Sequence, residues 1–207
     1  MQPDESGQPG QSDRTGEPAR PAGPTQTEMP AGDEKVVSSV TVAVEVSAPA
    51  KSCFAVAANH FNLPKWAHPI KEVRLDEGRR EVDYLLPDGI VTCQTQSRTD
   101  MKRGVVDWTV RLPKGEPIQV FSRVVPLDPS RSVYIFTLLS PPMPRRRLKD
   151  AYGVVEKNLV KDLEKFRELV RKESQKGPDA LEAELQEAQQ AAGGGAPTRS
   201  KGARRKS

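Results

Sequence analysis

The chain has 207 residues, of which 35% are hydrophobic and 29% charged, with a formal net charge of only +4. No stretch approaches the roughly 18 apolar residues of a membrane span, and so small a basic excess does not mark a dedicated nucleic-acid binder. The opening Met1-Gln2-Pro3-Asp4-Glu5-Ser6 has neither the basic nor the apolar region of a signal peptide, so a cytoplasmic protein is expected.

Residues 1–34 hold six prolines but no Val, Ile, Leu, Phe, Trp or Tyr, so nothing offsets the entropy of ordering them and a disordered tail is expected. Val36 to Val46 then alternates, with Val40, Val42, Val44 and Val46 on one face, as a half-buried strand does. Ser47-Ala48-Pro49 supplies a candidate N-cap and a proline for the first turn of a short helix over Ala50 to His60. A second short helical piece, Phe61 to Trp66, follows. Six strands are predicted next: 70–75, 80–86, 90–100, 105–112, 118–126 and 132–139. Gly, Pro or Asp punctuates each connection, as hairpin turns require. Pro141, Pro142 and Pro144 end the series.

A long amphipathic helix begins near Arg145. Leu148, Tyr152, Val155, Leu159, Leu163, Phe166 and Val170 recur at steps of three and four, one stripe seeking an apolar surface. The order predicts an α+β fold: a curved antiparallel sheet of about seven strands, two short helices, and a long C-terminal helix on one sheet face. The domain is placed at 36–172, with both tails dispensable for folding. Residues 173–207 read as polar, with a frayed alanine-rich helix over Asp179 to Ala192, then a glycine break and a disordered basic end.

Two stretches resemble the START-like, or SRPBCC helix-grip, superfamily. The first runs from Val44-Glu45-Val46-Ser47-Ala48-Pro49 to Asn62-Leu63-Pro64-Lys65-Trp66. The second runs from Arg123-Val124-Val125-Pro126 through Pro141-Pro142-Met143 into Val155-Glu156-Lys157-Asn158-Leu159 and the pair Asp162-Leu163, and is similar to the bacterial polyketide cyclase/dehydrase-like branch. The resemblance implies a cavity between sheet and last helix for a small apolar or amphipathic molecule, with no cofactor. A cyclase/aromatase-type enzyme and a closed structural or interaction protein are the alternatives, because one scaffold hosts several functions.

The expected ligand-binding residues are Trp66, Tyr84, Trp108, Tyr152, Val155 and Leu159, and each of these side chains also suits a packed core. His60 and His68 lack a third ligand at metal spacing. His68, beside Trp66, is weighed as an acid or base against a surface histidine. Gln94, Gln96, Arg98 and Asp100 share one strand face, read as solvated, and Asp107 is read as solvated opposite Trp108. Cys53 and Cys93 lack metal or redox spacing and are expected to be reduced. Arg145-Arg146-Arg147 and the basic C-terminus read as solvated charge, without the aromatics that stack on bases. No metal, no catalytic residue, no membrane span and no nucleic-acid partner are expected, and the oligomeric state is left open.

Overall fold

A computed structural model of the chain describes residues 34–76, 79–86 and 89–193, with the backbone alone at 145–152 and 192–193. The expectations for residues 1–33 and for the basic end after 193 lie outside the described residues. The strands are β1 (Lys35–Val36), β2 (Ser39–Val46), β3 (Ile70–Asp76), β4 (Arg79–Leu86), β5 (Gly89–Asp100), β6 (Val105–Arg111), β7 (Ile118–Asp128), β8 (Arg131–Leu139) and β9 (Met143–Pro144). The helices are α1 (Ala50–Ala58), α2 (Leu63–Trp66), α3 (Arg145–Glu173) and α4 (Pro178–Gly193), with 3-10 turns at His60–Asn62 and Ser174–Lys176.

Seven strands form one antiparallel sheet in the order β2-β8-β7-β6-β5-β4-β3, while β1 and β9 make a small separate pair. The hairpins β3 to β8 run consecutively, and β2 closes the sheet against β8, so the first and last long strands are neighbours. Register carries each side chain's face across the sheet. Val106, Trp108 and Val110 of β6 lie opposite Ser122, Val120 and Ile118 of β7. Val124 and Ser122 in turn lie opposite Tyr134 and Phe136 of β8. This is the inner face, and it packs against α1 and α3. The outer face carries ion pairs: Arg74 grips Asp83 at 2.6 and 3.0 Å, and Arg123 reaches Asp107 at 2.5 Å.

α1 is a helix of small residues pressed into the core, with Ser52 to Ala58 all buried. Its start departs from the sequence expectation. Pro49 is itself the N-cap residue, with no side-chain cap bond, and Ser47 does not cap it. The approach is fixed from the sheet instead, where Ser132 Oγ donates 3.0 Å to the Ala48 carbonyl. Gly104 closes the β5–β6 hairpin at φ +63°, and a Cβ there would collide with the Val124 carbonyl oxygen. The Val124 N–H donates to the Gly104 carbonyl at 2.8 Å, so the hairpin end is stitched to β7. Only glycine satisfies both the left-handed backbone and this approach.

α3 begins at Arg145, and Leu159, Leu163, Phe166 and Val170 of its stripe are buried. Phe166 stacks on Tyr134 with ring centroids 4.3 Å apart, and Trp66 meets Phe166 edge-on at 5.3 Å. The packed chain does not stop at residue 172. α4 folds back onto α1 and buries Leu181 and Leu185, to 4% and 3% exposure, while Lys51 of α1 reaches Glu182 at 2.6 Å. The polar composition of 173–192 predicts a frayed helix, but two leucines one turn apart are enough to dock it.

Two outcomes are expected from this packing. Leu185→Ala should cost about 2–5 kcal/mol in urea unfolding, whereas Glu187→Ala, on the exposed side of α4, should stay within about 0.5 kcal/mol. A chain ending at Lys176 should melt well below the full chain by circular dichroism. Matching melting curves would mean that α4 adds nothing to the core.

Candidate functional site

The floor of the site is the inner face of the sheet, and α3 lies against it along β2, beside α1 and α2. Around the C-terminal half of α3 the space is filled. Phe136 meets Trp66 at 6.1 Å and Trp108 at 6.2 Å, which joins the two tryptophans in one aromatic block with Tyr134 and Phe166. Trp66 and Trp108 are 3% and 5% exposed, and Leu159 is also buried. Elsewhere the same face is less covered. Val42, Val44, Val73, Tyr84, Leu138 and Val155 touch the core but are only half-buried. Tyr84 sits across from Ile70 and Val91 near the far edge of the sheet, and burial raises its phenol well above the usual range. The side chain of Tyr152 lies outside the described residues, as do those of Arg145, Arg146 and Arg147.

Of the six expected lining residues, the structure therefore joins Trp66 and Trp108 through Phe136. It places Leu159 in packed core and leaves Tyr84 and Val155 partly uncovered. Gln94, Gln96 and Arg98 are exposed on the outer face, and Asp107 is bound there by Arg123. His68 is exposed, and its backbone N–H serves Asp162 of α3. Asp162 is buried, and burial raises its carboxyl above the usual range. Cys53 and Cys93 are free and buried, and burial pushes the Cys53 thiol up to about 12.

A polar cluster on the inner face adds residues that the sequence reading does not name together. Arg80 Nη1 donates to Ser97 Oγ at 2.6 Å and lies 3.1 Å from His60 Nε2. The His60 ring meets Trp108 edge-on at 5.9 Å. Thr95 Oγ1 and Trp108 Nε1 are buried without a partner among the described residues. Burial, and then the charge of Arg80, lower the pKa of His60 to about 3, and its ring also bonds the Ala58 backbone. His60 is thus a neutral imidazole at neutral pH. The sequence carries one signal for this cluster, since Arg80 shares its alternation parity with Val82 and Tyr84 on β4. The approach of His60, twenty positions earlier, depends on how the 3-10 turn lies against the sheet.

An open cleft of about 340 Å³ lies elsewhere, between the start of α1, the β5–β6 turn and β7. It is lined by Phe54, Met101, Gly104 and Val124 with Lys51, Lys102 and Arg103 at its sides, and none of the six expected residues reaches it.

A seven-stranded antiparallel sheet closed by its first strand, two short helices and a long C-terminal helix laid over the inner face define the START-like helix-grip class. More narrowly, residues 38–186, most of the chain, match the family model described as polyketide cyclase / dehydrase and lipid transport, and the chain belongs to that family. Among solved structures, the Zhui aromatase/cyclase from Streptomyces sp. R1128 is 19% identical, with a TM-score of 0.56 over 66% of this chain and 94% of that one. A START superfamily protein from Mycobacterium smegmatis is 19% identical, with a TM-score of 0.51 over 64% and 98%. A protein from Thermus thermophilus, TTHA0849, is 15% identical, with a TM-score of 0.54 over 66% and 99%. These likenesses show a shared fold. No curated protein matches the sequence.

Below its ordinary pKa of 6.5 the unfolded chain protonates His60, while the folded chain refuses that proton down to about pH 3. The unfolded state binds more protons across this window, so stability falls as pH falls through it. At pH 5 the loss from this one group is about 2 kcal/mol relative to pH 7. Urea unfolding of the native chain and of His60→Gln at pH 7 and pH 5 measures it: the variant should lose less stability on acidification. Equal losses in both would show that His60 titrates normally in the fold.

Proposed function

We propose that this protein binds a small apolar or amphipathic molecule between the inner face of the sheet and the N-terminal half of α3. The observation that carries this reading is the contrast along α3. Around Phe166 the grip is filled, whereas Val155 and, on the inner face of the sheet, Val42, Val44, Tyr84 and Leu138 remain only half-buried. Aliphatic and aromatic surface left partly uncovered inside a grip gains free energy when a ligand covers it. The family description, which includes lipid transport, supports the same reading.

A cyclase- or aromatase-type activity is the second reading, suggested by the cyclase/dehydrase part of the family description and by the Zhui relative. It needs a titratable group poised near neutral pH and facing the ligand. His60, held neutral and bonded by Arg80 and by the Ala58 backbone, does not meet that need. Binding therefore leads.

Titration with the neutral apolar dye Nile red tests the proposal. Saturable one-to-one binding is expected. Val155→Trp, which fills the half-buried position on α3, should weaken it about tenfold or more, with the melting temperature held within a few degrees. Val160→Trp, on the exposed side of the same helix, should leave it unchanged. Absence of saturable binding across a varied set of apolar probes would overturn the reading.

A further inference from the structure

Arginines on the outer face meet carboxylates: Arg74 holds Asp83, and Arg123 holds Asp107. Arg80, half-buried on the inner face, forms no ion pair among the described residues. Its two side-chain partners, Ser97 Oγ and the His60 ring, are both neutral. They fix Nη1 without cancelling its charge. The Nε and Nη2 edge, the side-on fork that fits a carboxylate, has no partner among the described residues.

Two further donors lie on the same patch. Thr95 is directly across from Arg80, and its Oγ1 is buried without a partner among the described residues. Trp108 is directly across from Ser97, and its indole N–H is buried without a partner among the described residues. An indole nitrogen only donates, so what would satisfy it is an acceptor. Unmet donors beside an uncancelled positive charge call for an oxyanion. The count of charge also limits which one. A single guanidinium among neutral neighbours matches a monoanion, whereas a phosphate dianion would leave negative charge uncompensated on a partly desolvated face.

We propose that Arg80, Ser97, Thr95 and the Trp108 indole N–H form a carboxylate receptor, and that the ligand of the inner face is an apolar molecule bearing one carboxylate group. This rests on the binding function proposed above and adds the polar end of the ligand to it. His60 is a positioning residue, since it braces the guanidinium and carries no charge itself.

The test compares dansyl-aminoundecanoic acid with its methyl ester, binding to the full chain at pH 7. The two share one apolar body and differ in charge at the end. The acid should bind about tenfold tighter or more, the range expected for a hydrogen bond between charged groups. Arg80→Gln should bring the acid down to the ester's affinity and leave the ester unchanged. Thr95→Val should reduce the acid's advantage several-fold, and it decides the matter together with the native ratio if Arg80→Gln does not fold. Equal affinity for acid and ester in the native chain, or an equal loss of both in the variants, would overturn the receptor while leaving apolar binding standing. Saturable binding of neither probe would overturn both.

Discussion

Everything about this fold turns on how α3 is held, and it is held by one stack. Phe166 lies on Tyr134 at 4.3 Å, with Trp66 edge-on behind it. These rings come from the long helix, the strand next to β2 and the second short helix, so one cluster ties together elements about a hundred residues apart. Aromatic pairs of this kind add to the area they bury. They also demand a defined spacing, which sets how closely α3 approaches the sheet. From that fixed point the helix runs over the inner face toward its N-terminal end, where coverage thins at Val155. The grip is thus anchored at one end and looser at the other.

Much of this architecture is written plainly in the chain. The valine alternation of β2, the turn residues between the later strands and the three-four spacing from Val155 to Val170 each follow from local backbone geometry. Each is legible because the signal lies within a dozen neighbouring residues. The lining is legible only in part. Trp66 and Trp108 can be named as large inner residues, but their common partner Phe136 comes from another strand. Whether a tryptophan fills a core or walls a cavity is decided by such partners. The docking of α4 is hidden for a different reason: two leucines among alanines and glutamines give little periodic signal. Their burial depends on α1 being built from residues small enough to present a close surface.

The two faces of the sheet treat charge in opposite ways. Outside, carboxylates and guanidinium groups pair across strands, and Thr92 adds a 2.7 Å bond to Asp83. The Thr92 bond, ahead of the Arg74 contacts, holds that carboxyl below its usual range. Inside, the side-chain partners of Arg80 among the described residues are neutral. The same strand, β4, therefore contributes a matched charge at Asp83 and an unmatched one at Arg80, three residues earlier and on the opposite side. Strand alternation sets the two on opposite faces but does not decide which of them is paired. The difference lies in which neighbours the register brings.

The two cysteines give the molecule a built-in chemical clock. Thiol reagents attack the thiolate. Cys53 sits sealed in α1 and Cys93 under the paired strands β4 and β5, and burial disfavours the ionised form of both. Each becomes reactive only when its own layer parts. Their modification rates thus time two separate breathing motions, one of the helical layer that α4 covers and one of the strands around β5, with no label added to the chain. A guest that ties α3 to strands β4 and β5 would slow the second clock while leaving the first running at its own pace.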